Sequence, residues 1–264
     1  MPARSTLASM PLRVVAAVLA LPAAECSLAQ ALPDARSTFV QAEVVGAWQQ
    51  RNSVQSPNDA AGTRFALDDV TGNGPFQALR LEGFVPIGTR QQLSFLIAPL
   101  AIEETGRLPR TVRFEGGAFS AGTTTATYRF DSYRVGWRWL FVDRSDLTVK
   151  FGATAKVRDA EIRLRQGAQS RRKTDTGFVP LAHASFERRA GSGWFVAGDV
   201  DALGGGPGYA VDAGLRVGRH LGGRWSVFGG LRFLDGGADT DEVHAFARFT
   251  SVTVGLRYRQ PAAP

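Results

Sequence analysis

Cysteine is almost absent from this chain of 264 residues: there is one, Cys26. It lies in a stretch that reads as a secretory leader. Arg4 and Arg13 charge its start, Val14 to Leu21 ("VVAAVLAL") forms a short apolar run, and small residues permit cleavage after Ala29 or Ala31. Glu25 just before Cys26 does not suit a lipidation box. Removal of residues 1–31 takes the only thiol away, which excludes a disulfide, a thiolate metal site and a cysteine nucleophile in the mature chain. Methionine (2) and histidine (3) are also scarce, and no metal or cofactor is expected. No apolar run reaches the ~20 residues that a membrane helix needs. Nor does the mature chain hold a sustained apolar period of 3.6, which excludes a helical bundle. The net charge of +7 becomes +6 once Arg4, Arg13 and Glu25 leave. That mild basic excess follows no nucleic-acid pattern, and no nucleic-acid partner is expected.

What the chain does have is 30 glycines and alternation of period two, repeated along some 230 residues. Ten strands are expected, at 38–50, 76–86, 91–101, 123–142, 146–165, 176–189, 193–203, 207–219, 224–234 and 243–259. In "LTVKFGATAKVR", Leu147, Val149, Phe151, Ala153, Ala155 and Val157 form one face, and Thr148, Lys150, Gly152, Thr154, Lys156 and Arg158 the other. The sixth strand is the weakest, because Pro180 cannot donate to a ladder.

The connections sort by length. "PIGTR", "VDRSD", "RAGSG" and "LGGR" are tight turns, whereas 51–75, 102–122, 166–175 and 235–242 are longer; "GGGP" is the short member of that second set. Several strands exceed the ~9–11 residues that cross a bilayer at a tilt, well above the ~5–6 typical of soluble strands. The fourth and fifth reach about twenty, with distal halves ("TTTATYRFD", "RDAEIRLRQ") expected to be polar on both faces and to stand in water. Only a closed barrel lets such strands satisfy every backbone group in lipid.

The leader, the alternating strands, the loop sorting and the terminal "SVTVGLRYR" resemble the outer-membrane β-barrel proteins of Gram-negative bacteria, of the small porin-like, opacity and OmpA-transmembrane class. The resemblance covers nearly the whole mature chain, with Tyr258 as the terminal aromatic ahead of Arg259, Gln260 and "PAAP". It implies an all-β, up-and-down antiparallel transmembrane barrel of about ten strands (8–12), as one domain over residues 32–264. It further implies both termini on the periplasmic side of the outer membrane, and as partners outer-membrane lipid, lipopolysaccharide and the barrel assembly machinery. Oligomeric state stays open.

In that architecture the register sends Glu43, Arg80, Glu82, Arg134, Arg138, Lys150, Lys156, Arg158, Asp199, Asp201, Asp212, Arg216, Arg232 and Arg257 into the lumen. Tyr133, Trp137, Trp139, Phe141, Trp225 and Tyr258 go to the lipid side as an aromatic girdle. Acids cluster on the seventh and eighth strands and bases on the fourth and fifth. At ten strands, near the eight that side chains fill, interlocking charges are favoured over an ion-selective pore. A small passive diffusion pore is the alternative.

His183, Ser185 and Glu187 share one face of the sixth strand. A His/Ser/acid set activates serine in outer-membrane lipid hydrolases, but only an H-x-S pair matches. Neighbours i and i+2 also sit ~7 Å apart, so a lumen histidine is preferred and no enzymatic role is expected. Arg171, Arg172 and Lys173, read in the third outer loop, are candidate contacts for lipopolysaccharide phosphates, with Arg107, Arg110 and Arg113 in the second loop beside them. "DGGADTDE" (235–242) lacks calcium-loop spacing, and "LGGGPG" lacks the lysine of a phosphate loop. "TVRFEGGAFSAGT" is expected to form a small hairpin about a Gly-Gly turn, which caps the barrel mouth or folds inward. "TRFALDD" is a candidate strand extension.

Overall fold

The computed structural model describes residues 37–260. The expected leader (1–31) and "PAAP" lie outside the described residues. Ten antiparallel strands run in chain order: β1 (Phe39–Gln55), β2 (Phe76–Pro86), β3 (Gln91–Ala98, continued by Ala101–Leu108), β4 (Gly122–Asp143), β5 (Leu147–Gln166), β6 (Gln169–Arg189), β7 (Trp194–Gly205), β8 (Gly208–Gly222), β9 (Trp225–Asp239) and β10 (His244–Arg259). Each pairs with its sequence neighbour, and β10 closes on β1 from Phe39↔Arg259 to Gln55↔His244. The sheet therefore has no free edge around its girth, as strands in lipid require.

Two strands are interrupted by proline without losing register. In β3, Pro99 breaks the ladder, yet Ala98↔Ser132 and Ala101↔Arg129 lie on one unshifted pairing with β4. In β6, pairing with β7 begins at Ala182, so at Pro180 the strand has a partner only on the β5 side. The missing N–H thus falls where one flank has no ladder to feed.

Several strands run beyond their expected ends, and this redraws the loops. The third outer loop (166–175) shrinks to Gly167 and Ala168, because β5 and β6 continue as a hairpin. Asp235–Asp239 belong to β9, and Ala101–Leu108 to β3. Two long connections remain. In the first, 56–75, Phe65 and Ala66 pair with β1, which is the expected extension, and Asp68–Thr71 form one helical turn, α1. In the second, 109–121, Val112–Phe114 and Gly117–Phe119 form the expected hairpin. Its turn is Glu115-Gly116 rather than Gly-Gly, with φ of 49° and 70°. Glu115 tolerates that left-handed conformation because its N–H donates to the Ser56 carbonyl at 2.9 Å and its carboxylate accepts from the Ser56 hydroxyl at 2.5 Å.

Hydrophobic phase divides the barrel into two halves. On β4, Tyr133, Val135, Trp137, Trp139 and Phe141 point outward and are exposed. Further along, Ala126 and Tyr128 are apolar at even positions and buried inside. The same inversion occurs on β5, from Phe151 and Val157 outside to Ile162 and Leu164 inside. The distal halves are thus not polar on both faces: their inner face is apolar, because there the outside is water and the inside is a core. Val54, Leu67, Val70, Ile102, Leu108, Val112, Phe114, Phe119 and Phe249 join that core, so both long connections fold inward. Hydrophobic burial drives this plug as it would in a soluble domain.

Candidate functional site

The inner half, between the apolar band's two rims, is filled with charge. Arg134 on β4 reaches the opposite wall: Nη1 donates to Asp201 Oδ2 on β7 at 2.9 Å and Nη2 to Asp212 Oδ2 on β8 at 2.5 Å. Its Nε is held by the Ser132 hydroxyl at 3.0 Å. Asp212 also accepts from Arg232, which donates from Nη2 to Asp199 at 3.0 Å; Asp199 takes a further bond from Arg216 at 2.6 Å. Arg80 and Arg216 both lie 3.7 Å from Glu43. Arg138 lies 3.8 Å from Asp201 and donates to the Ala153 carbonyl at 2.9 Å.

Bases of β2, β4, β8 and β9 therefore interlock with acids of β1, β7 and β8. A charge stripped of water needs such partners, since leaving one unpaired costs several kcal/mol. Lys156 packs over the Phe130 ring at 4.7 Å, and Arg158 pairs with Asp175 at the top of β6. Toward the tight-turn end, Arg257 donates to Glu187 at 2.7 Å and to Gln41 at 3.2 Å, and Gln41 donates to Glu82 at 2.9 Å. Beside them is a cavity of about 60 Å³ whose lining includes Lys150, Ser185 and Arg257.

The structure places all fourteen expected lumen residues on the inner face. Their alternation partners are outside: Tyr133, Trp137, Trp139, Phe141 and Trp225 are exposed, and half-buried Tyr258 packs against Trp225 with ring centroids 4.9 Å apart. Sequence reasoning missed an apolar layer inside this polar half. Phe195 and Phe228 are buried there, and the Arg257 guanidinium lies 4.7 Å from the Phe39 ring and 5.1 Å from Phe195. Their register carried the signal, since Phe195 is in phase with Asp199 and Asp201.

His183, Ser185 and Glu187 do share the inner face, but the geometry does not join them. His183 Nδ1 pairs with Asp201 at 2.8 Å rather than with Ser185, and Glu187 is engaged by Arg257 and Arg189. Arg171, Arg172 and Lys173 lie on strand β6 and not in a loop, so alternation splits them. Lys173 turns across the mouth to Glu242 at 3.4 Å, leaving Arg172 outward. Of the second-loop arginines, Arg107 belongs to β3, while Arg110 and Arg113 donate to the carbonyls of Arg64 (2.8 Å) and Ala60 (3.2 Å), stitching the two inward loops together.

No protein-family model and no curated protein matches this sequence. Solved structures do match it in shape. The outer membrane protease OmpT from Escherichia coli aligns with a TM-score of 0.56 at 6% identity, over 87% of this chain and 99% of that one. The outer membrane protein OprG from Pseudomonas aeruginosa gives 0.44 at 8%, over 86% and 98%. Ail, the attachment invasion locus protein of Yersinia pestis, gives 0.38 at 8%, over 84% and 98%. Closed antiparallel girth, apolar outer band and charged interior agree with that likeness: this chain has the fold of the Gram-negative outer-membrane β-barrel proteins.

Proposed function

We propose that the protein is an integral outer-membrane barrel that does not conduct, with both termini on the periplasmic side and its loop-bearing end as an interaction surface toward lipopolysaccharide. The observation that carries this reading is the bond from Arg134 on β4 to Asp201 and Asp212 on the opposite wall, 2.9 and 2.5 Å. Side chains of facing strands touch there, which supports a lumen interrupted at that level. The apolar plug above adds a second barrier. Among the described residues no hydrogen bond joins His183 to Ser185, which supports a packing role for this histidine.

Planar-bilayer recording on the purified, folded barrel tests the reading. The expected trace has no discrete openings at moderate voltage. Steady single-channel steps from the wild-type protein would sink the closed-barrel proposal and restore the small diffusion pore.

A further inference from the structure

Where the apolar band ends on its loop-bearing side, the outer surface changes abruptly from hydrocarbon to charge. On strands β9, β10 and β1, Phe233, Thr250 and Trp48 stand in one cross-strand row. The next outward row is Asp235, Arg248 and Arg51, again direct partners. Arg248 donates to Asp235 Oδ2 from Nε at 3.1 Å and from Nη2 at 2.6 Å. Arg51 Nη2 donates to Asp235 Oδ1 at 2.9 Å and to the Tyr209 hydroxyl at 3.0 Å. The guanidinium of Arg51 lies 5.6 Å from the Phe246 ring, and that of Arg248 lies 5.8 Å from Phe233. Both cations are thus fixed by aromatic and carboxylate contacts before any ligand arrives.

Exposure decides what a ligand meets. The Asp235 side chain is 8% exposed, whereas Arg51 and Arg248 are 40% and 43% exposed. The carboxylate serves as a buried anchor beneath two outward guanidiniums. Asp239, two positions beyond Gly237 on β9, is held by Asn58 and His244.

The equivalent level of the opposite wall provides the contrast. There Arg129 and Arg163 face Asp131, Asp159 and Glu161, three carboxylates for two arginines. The Arg129–Asp159 contact at 2.7 Å joins side chains exposed to similar degrees, 33% and 35%. That wall is neutralised at its surface, while the β9–β10–β1 wall presents a cationic pair.

We infer that Arg51 and Arg248, anchored by Asp235 and flanked by Tyr209, Phe246, Phe233 and Trp48, form a binding site for the phosphate group of an outer-leaflet glycolipid headgroup. The chemistry is arginine recognition of phosphate by paired N–H donors. The depth selects a lipid source: the site stands directly on an aromatic row at the band's rim, where headgroup phosphates lie, with room below for acyl chains. The inference rests on the outer-membrane orientation proposed above and supplies the partner chemistry of its outward surface.

The test uses the full barrel in detergent, with its thermal unfolding temperature followed as lipid A, dephosphorylated lipid A or inorganic phosphate is added. Lipid A should stabilise the wild type, with little effect from the other two. Arg51→Gln plus Arg248→Gln should weaken lipid A binding, roughly fivefold per arginine. Asp235→Asn, which frees the guanidiniums, should keep the lipid A response even if the barrel itself is less stable. An undiminished response in the double arginine variant, or equal stabilisation by dephosphorylated lipid A, would overturn the site. If the response moves instead with Arg172→Gln, the outward surface reading stands and this site falls. A wild type indifferent to lipid A removes both.

Discussion

Arg134 and Arg163 show how much location changes the worth of the same guanidinium. Arg134 is buried and holds two carboxylates that are nearly as buried, 9% and 7% exposed. Replacing it with alanine leaves Asp201 and Asp212 short of a cation, at a cost of about 3 kcal/mol, the lower end of the range for a broken buried pair, since Arg232, Arg138 and His183 remain. Arg163 pairs with Glu161 at 2.6 Å on the water-washed outer face, with 38% of its side chain exposed. Arg163→Ala should therefore cost less than about 1 kcal/mol. Urea unfolding of barrels in lipid vesicles checks the order; equal losses would mean that the interior is wetter than its packing indicates.

A second residue-scale consequence concerns pH. Asp239, above the band, is held below the usual carboxylate range by the hydrogen bond that Asn58 donates to it at 2.7 Å and by contact with His244. A depressed folded pKa contributes stability above the ordinary value of about 4, and that contribution is lost as pH falls through the folded pKa. The clamp between the 56–75 connection and β9 should thus loosen only in acid. Hydrogen exchange of the Asn58 amide, bonded to the Glu242 carbonyl at 3.1 Å, reports it: acceleration on going from pH 6 to pH 3 beyond the intrinsic trend is expected, and an unchanged protection factor would contradict the clamp.

Single strands show what was legible in the sequence and what was not. Alternation exposed both faces of β4 and β5 within the band, because each lipid-facing side chain needs an apolar atom surface and each inner one a partner. That pattern places Trp137 outside and Arg138 inside, as found. The distal halves were harder. Their apolar residues flip parity at Tyr128 and Ile162, and a reading that expects one constant inner face sees only noise there. The flip itself marks the waterline, where outside changes from lipid to water. Strand ends were misplaced for a related reason: "QSRRKTD" has a loop-like composition, but a ladder to β5 satisfies its backbone regardless of side chains. Ion-pair partners across the lumen were not legible, since they depend on which strands face each other after closure. For β4 the expected ranking is clear. Trp137→Arg places a charge on the lipid face, at about 2 kcal/mol or less this near the rim, and also removes a large girdle ring. Arg138→Gln keeps a donor near Asp201, which retains Arg134 and His183. Assembly of the folded form in membranes should fall far more for Trp137→Arg, and the reverse order would mean that the barrel's faces are exchanged.

At the scale of the whole molecule, two packed layers stand in series in the lumen and rest on different forces. The outward one is a hydrophobic core built from the inturned connections, with Phe114 and Phe119 fully buried in it. The inner one is an electrostatic lattice spanning from β4 to β7 and β8. Because the plug sits on strands that extend past the band, its removal does not touch the inner ladder. Replacing residues 111–120 with a short Gly-Ser linker should therefore open the mouth and destabilise the projecting hairpin, yet leave the bilayer current at baseline, since Arg134 still joins opposite walls. Adding Arg134→Ala to that deletion removes the second barrier and should produce discrete openings. High salt should not mimic this double change, because screening acts weakly on charges shut away from solvent. If the deletion alone conducts, the lattice is not a barrier and the plug is the only seal; if the combined variant folds and stays silent, the Phe195 and Phe228 layer closes the lumen without help from charge.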